Sequence, residues 1–231
     1  MDLSRDIEWV LTHLDDLAYR TVQHLWLTIL AVFIGFLISF ALAVVAVRRR
    51  RSYGPLLAVS DLLYTIPSLA IFAALISVTG ISLLTVLIPL VIYTLVIFVR
   101  NIAAGFDSVS ADVIEAADGL GYSSRTRLWR VEVPLALPLI IAGVRLATVS
   151  TIGLVTVTAV LGDSFGGLGF FILEGYRRNF PVELYIGATL SIGLALLADY
   201  SLARLQRRLT PWSTTAVVAK GALEPPLGAA P

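Results

Sequence analysis

The sequence predicts an all-α polytopic membrane protein of about five transmembrane helices, with its N-terminus outside and its C-terminus in the cytoplasm. Composition is the first observation behind this: of 231 residues, 58% are hydrophobic and only 14% charged, and the mean hydropathy is +0.88. The second is length, because several apolar runs reach the roughly 20 residues that an α-helix needs to cross a bilayer. The third is that basic residues gather on one side of the spans those runs define. The chain has no cysteine, which excludes a disulfide framework and a thiolate metal site. No segment outside the spans is long enough to bury a sizeable soluble core.

Residues 7–18, IEWVLTHLDDLA, place Ile7, Val10, Leu11, Leu14 and Leu17 at helical spacing, with Glu8, His13, Asp15 and Asp16 opposite. The pattern fits a helix lying on the membrane surface and equally a solvated leader, so residues 1–23 are expected as an extracytoplasmic segment. The first span is expected over 24–47, followed at once by the arginines at 48–51. A cleaved signal peptide carries its positive charge before the apolar run, whereas here acidic residues come before and arginines after. A retained span is the expectation. The second span is expected over 55–79 and contains SDLLYTIPSLA; a TGIS turn leads to the third over 81–99, which Pro89 is expected to kink.

A polar interval, 100–133, comes next. The fourth span is expected over 135–160 with Arg145 inside it, then the Gly-rich stretch GDSFGGLGFFILEGYRRNFP, and the fifth span over 183–203, ending in DYSLARLQRR. Residues 24–210 therefore form the transmembrane domain. The Pro-, Ala- and Gly-rich stretch 211–231 is expected as a disordered cytoplasmic tail.

Charge placement sets the orientation. With the N-terminus outside, twelve of the 17 basic residues fall on the cytoplasmic side: the arginines at 48–51, 100, 125, 127, 130, 204, 207 and 208, and Lys220. Arg5, Arg20, Arg177 and Arg178 lie outside, and Arg145 sits within a span. The polar interval is thus expected in the cytoplasm.

The chain lacks the groups that catalysis would need. Its only lysine is Lys220, so no Gly-x4-Gly-Lys-Ser/Thr loop can cradle ATP phosphates. The two histidines, His13 and His24, have neither a neighbouring Ser or Cys nucleophile nor metal-ligand spacing. Serines and threonines within the spans serve helix packing. The sequence therefore predicts no catalytic residue, no metal and no cofactor of its own, and reads as a conduit or partner.

In the polar interval, Val109, Val113, Ala116, Ala117 and Leu120 recur at i, i+4, i+7, i+8 and i+11, one modestly apolar face on a short helix. Ser108 or Ser110 can cap it, and Asp112 in its first turn suits the helix dipole. Gly119 and Gly121 supply positions where the chain can leave the helix with positive φ. Ser123 or Ser124 can cap a second helix, SRTRLWRVEV, which Pro134 is expected to limit as it opens the next span. Inert connections between helices run 2–8 residues. A structured hairpin of about thirty residues points instead to docking in a partner's groove, with a plain surface loop as the alternative.

The stretch EAADGLGYSSRTRLWRVEVP resembles the EAA loop of binding-protein-dependent ABC importer permeases: Glu-Ala-Ala, three residues, Gly, nine residues, then Ile-x-Leu-Pro. Glu115, Ala116, Ala117, Gly121 and Pro134 match in identity and register, while Val131 and Val133 replace Ile and Leu. The resemblance extends over spans two to five and implies a MetI-like permease fold. YTIPSLA, PLALPLIIAGVR and GGLG are most similar to the quaternary-amine branch, which imports glycine betaine, choline, carnitine or proline betaine. That branch often has Gln before TIPS, where this chain has Tyr64.

The resemblance implies a permease in a bacterial or archaeal inner membrane. Its implied partners are a second permease copy or paralogue, ABC ATPase subunits that bind the ATP, an extracytoplasmic substrate-binding protein and membrane lipid, with no nucleic acid. Residues 108–121 would be the coupling helix, so Glu115, Ala116, Ala117, Gly119, Gly121 and Pro134 are the expected ATPase-coupling positions. Asp61 and Arg145 are costly in lipid and are expected to face the bundle interior or reach the interface. Asp61 and Tyr64 share a helical face and can offer a carboxylate and an aromatic ring to a quaternary ammonium, or serve interhelical hydrogen bonding beside a Pro67 kink. With Thr65 and Pro67 they mark a candidate translocation path. Arg145 is expected in a gating or structural role, and Gly167 and Gly169 in a short gate or binding-protein contact. A permease for another small solute such as an amino acid or sulfonate, a stand-alone secondary transporter, and a membrane scaffold are the rival readings. Against the secondary transporter stand the odd number of spans and the lack of a visible inverted repeat.

Overall fold

The computed structural model describes residues 3–213. Among them every regular element is helical: α1 (Leu3–Thr12), α2 (Leu14–Arg48), α3 (Arg50–Thr65), α4 (Ser68–Thr79), α5 (Leu83–Asp107), α6 (Ala111–Gly119), α7 (Ser124–Arg127), a π turn (Leu128–Glu132), α8 (Val133–Val157), a 3-10 turn (Thr158–Leu161), α9 (Gly169–Arg177) and α10 (Pro181–Leu209). Among the described residues four helices are long and apolar enough to cross a membrane, and the bent pair α3–α4, taken as one span, brings the number to five. Most of the expected tail, 214–231, lies outside the described residues. Its first residues are helical, with the Ser213 amide donating to the Thr210 carbonyl at 3.2 Å.

The first span is longer than its apolar run. At 35 residues α2 begins at Leu14, because nothing between there and residue 24 breaks a helix; hydropathy marks only the stretch that sits in lipid. The surface helix expected over 7–18 is instead divided at His13, whose backbone (φ −117°, ψ 21°) leaves the helical region. Residues on its N-terminal side, Trp9 and Val10, pack on a cluster of Leu17, Leu168 and Phe171 beneath α9.

The second span is not straight. Its halves meet at 88°. Ile66 precedes Pro67, and the proline ring disfavours the α conformation there; Ile66 is extended at φ −75°, ψ 123°. The 12 residues of α4 rise about 18 Å, too short to cross the hydrocarbon alone. The Tyr93 hydroxyl of α5 donates to the Ile66 carbonyl, pinning the break to its neighbour.

Helix α5 runs through Pro89 as one helix. Pro134 acts differently from expectation and does not separate two helices: Ser124–Leu161 is continuous over 38 residues. The π turn is the reason. The Val133 amide reaches the Leu128 carbonyl five residues back, so the widened turn takes up the donor and space that Pro134 cannot supply, and the helix continues.

Helix α5 is the central element, packed against α2, α8, α3 and α4. One core cluster joins Leu27 and Ala31 to Phe72, Leu90 and Val155; a second joins Ala43 to Phe98, Ile102, Ala136 and Ile140. Small residues let the backbones close. A methyl at Gly35 would sit 2.0 Å from the Thr94 hydroxyl, and one at Gly143 would sit 2.6 Å from the Asn101 Cβ. Apolar attraction between helices is absent in lipid, so this close backbone contact is what holds such a bundle. The outward faces of α2 and α10 present Ile29, Phe33, Leu37, Leu196 and Leu197, as a lipid-facing surface does.

Candidate functional site

Between α5 and α8 the polar interval folds as a helical hairpin. Helix α6 ends in a six-to-one turn: the Tyr122 amide bonds to the Ala117 carbonyl at 3.1 Å and the Gly121 amide to Asp118 at 2.9 Å. This leaves Gly121 in the left-handed region at φ 78°, the position that glycine fills at a Schellman end. Gly119, expected to share that freedom, is instead the last residue of α6 with no positive φ. Ser110 makes no side-chain cap, whereas Ser123 caps α7 by accepting from the Thr126 amide at 3.3 Å.

Of the predicted apolar face, Val109 and Ala117 are buried, while Val113, Ala116 and Leu120 are exposed. Leu120 is 77% exposed. Glu115 stands exposed beside Ala116. The helix therefore packs one side against its own chain and presents a small apolar stripe, with one carboxylate, to its surroundings.

Arg127, Asp118 and Glu132 were not singled out by motif, yet they hold this hairpin together. The Arg127 guanidinium donates to both Asp118 oxygens at 2.5 Å and to Glu132 Oε1 at 2.8 Å. Glu132 is buried and sits in the π turn, so one cation ties α6 to the base of α8. Pro134 lies just beyond and lines a shallow groove with Arg130 and Trp212.

The second group lies at the α3–α4 break. Tyr64, Thr65, Ile66 and Pro67 line a cleft of about 350 Å³, joined by Tyr93 of α5 and by Ser150 and Thr151 of α8. The rings of Tyr64 and Tyr93 stand 6.3 Å apart at 66°. Asp61 is one turn away from Tyr64 but does not line this cleft: its carboxylate accepts from the Arg100 guanidinium, whose Nε lies at 2.9 Å. The predicted pair is thus divided, one member to an ion pair with α5 and the other to the cleft.

Arg145 of α8 meets Asp199 of α10 in a two-pronged pair, Nε to Oδ1 at 2.9 Å and Nη2 to Oδ2 at 3.0 Å. Its Nη1 also donates to Gln206, which in turn donates to the Pro138 carbonyl at 3.0 Å. An intramembrane arginine needs a counter-charge, and Asp199 and Gln206, seven residues apart on α10, were the sequence signal for it.

At the opposite end of α2, the Gly-rich loop is strapped down. Arg20 donates to the Asp163 carbonyl and Gln23 to Ser164 at 2.7 Å, while the Gly167 amide donates to Gln23 at 3.0 Å. His24 is fully buried. Its Nδ1 accepts from the Leu168 amide at 3.2 Å and its Nε2 lies 3.0 Å from the Ile152 carbonyl, which requires a neutral ring with its proton on Nε2. Gly167 (φ 50°) and Gly169 are both buried; a methyl at Gly169 would lie 2.1 Å from the Thr156 carbonyl. Close packing, with no open surface, surrounds these two glycines.

A bent second span, a stapled hairpin between the third and fourth spans and a helical bundle closed by α10 define a polytopic permease of the MetI-like fold. The chain superposes on a chain of the inward-facing MetNI methionine ABC transporter with a TM-score of 0.74 at 19% identity, over 84% of this chain and 96% of that one. Residues 31–211 match the family described as binding-protein-dependent transport system inner membrane component. Among relatives, the osmoprotectant import permease protein OsmW of Salmonella typhimurium (strain LT2) is 38% identical over 89% of this chain and 97% of its own length. The choline transport system permease protein OpuBB of Bacillus subtilis (strain 168) is 32% identical over 89% of this chain and 94% of its own. The chain belongs to the binding-protein-dependent transport system inner membrane components.

Proposed function

We propose that the chain is the permease subunit of an ABC importer for a compatible solute of the glycine betaine, choline, carnitine or proline type. A binding protein delivers the solute from outside, a second permease copy or paralogue completes the path, and separate ATPase subunits bind and hydrolyse ATP. The relatives named for choline and osmoprotectant import support the solute class. The Arg48 end of α2 and the polar hairpin face the cytoplasm, in keeping with the charge count.

The observation that carries the mechanism is the exposed stripe of Val113, Ala116 and Leu120 on and just beyond a helix stapled to the base of α8. Small side chains allow a groove wall to approach α6, and Glu115 can pair with a cation on its rim. The ion pairs of Arg127 make α6 and the base of α8 move as one body. ATP-driven closure of the ATPase dimer then rocks the spans between inward-open and outward-open states. Tyr64, Thr65 and Pro67 belong to the path at the broken span, Asp61 holds Arg100 beside it, and Arg145 keeps α8 and α10 in register.

The test is uptake by the importer reconstituted with its ATPase, binding protein and second permease. Glu115→Lys is expected to insert and assemble normally and to lower solute uptake at least about tenfold, since like charges now meet where a pair had formed. Wild-type uptake by this variant overturns the coupling role.

A further inference from the structure

We infer that the cleft at the α3–α4 break is a transit site for a quaternary ammonium group, with Tyr64 and Tyr93 as its aromatic walls. The inference rests on the solute class proposed above and adds a place where the permease itself meets the cation.

Geometry supports it first. The break brings together side chains from three helices far apart in sequence, and the resulting cleft of about 350 Å³ falls within the ~300–1,000 Å³ range of small-molecule sites. Tyr93 is held in place, because its hydroxyl is tied to the Ile66 carbonyl. Tyr64, 62% exposed, stands at 66° to it, so the two rings form a corner. A trimethylammonium group cannot donate a hydrogen bond and is recognised through aromatic faces.

Electrostatics supports it next. None of the lining residues named above carries a positive charge, and Arg100, the nearest basic side chain on α5, is engaged by Asp61. The C-terminal end of α3 and the N-terminal end of α4 meet at the break, so their opposite partial charges offset there and the aromatic faces carry the attraction. Because Asp61 is neutralised, the cleft attracts a cation without a full counter-charge to trap it. Weak binding is what a transit site needs, since the solute must also leave.

The importer assembled with its partners in proteoliposomes tests this, with choline and glycine betaine as quaternary probes. Tyr64→Leu and the double variant Tyr64→Leu/Tyr93→Leu are expected to reduce quaternary solute uptake about tenfold or more. Tyr64→Phe, which keeps the ring, is expected to stay within about twofold. ATP hydrolysis stimulated by the loaded binding protein is expected to persist in all of them, which separates a path defect from failed coupling or folding. Wild-type uptake in the double leucine variant overturns the inference, as does an equal loss in Tyr64→Phe or a parallel loss of stimulated hydrolysis. A wild-type complex that imports neither quaternary probe overturns the solute class and the cleft together, whereas unaffected tyrosine variants of a working importer overturn the cleft alone.

Discussion

Arg127 reaches back nine residues across the Gly121 turn and binds both carboxylate oxygens of Asp118 at 2.5 Å. Its Nε donates at the same time to Glu132, inside the π turn that leads into α8. The bridge adds an ionic tie to the contact that the buried Ala117 side of α6 already makes. With it, the hairpin has a defined angle to the spans.

Removing the guanidinium is expected to loosen the hairpin and leave the bundle folded. The Asp118 partner is half exposed, so that contact contributes only about 0–1 kcal/mol. Glu132 is 8% exposed, and leaving this carboxylate unpaired costs more than the roughly 1–3 kcal/mol of a neutral group. Arg127→Leu should therefore become sensitive to limited proteolysis between residues 108 and 127 while α5, α8 and α10 stay protected. Arg127→Lys, a point charge with no fork, should be intermediate. Cleavage identical to wild type in the leucine variant would show that the bridge does not order the hairpin.

The two glycines of the hairpin are expected to respond in opposite directions. Gly119 ends a helix without positive φ, and a methyl added there would meet nothing within 4 Å, so Gly119→Ala should be neutral or stabilise by about 0.5–1 kcal/mol. Gly121 is equally open but lies at φ 78°, so Gly121→Ala should cost about 1–2 kcal/mol from backbone strain alone. Thermal unfolding of the purified permease in detergent reads both. A destabilising Gly119→Ala would mean that space and backbone geometry do not decide the matter.

Arg145 and Asp199 are expected to behave as a unit. Either Arg145→Leu or Asp199→Leu alone leaves a charge at the α8–α10 contact without its counterpart, and each should be more disruptive than the double leucine variant. The coupling between the two, from a double-mutant cycle on thermal unfolding, should be about 0.6–1.7 kcal/mol, in the range such cycles give for polar contacts between membrane helices. Additive effects would assign the pair no stabilising role.

Much of the architecture was legible in one dimension. The spans expected over 24–47 and 81–99 advertise themselves because hydropathy is summed along a single helix and needs no neighbour. Pro134 and Glu115 stood in register for the same reason: a motif is a spacing. Helix ends set by polar sequence were less visible, and α2 starts at Leu14, where no change of hydropathy signals it.

By itself, then, the sequence determined that the chain lies in a membrane, that a hairpin of helix-forming residues interrupts it, and that Gly121 permits its turn. Only the tertiary structure decided the 88° break at Pro67, the pairing of Asp61 with Arg100, of Asp118 with Arg127 and of Arg145 with Asp199, and the meeting of Tyr64 with Tyr93. Span and motif follow from local propensity and transfer to lipid, which each residue brings with it. A bend angle, the choice of counter-charge and the walls of a cleft depend on which distant helix packs alongside, and no residue carries that information alone.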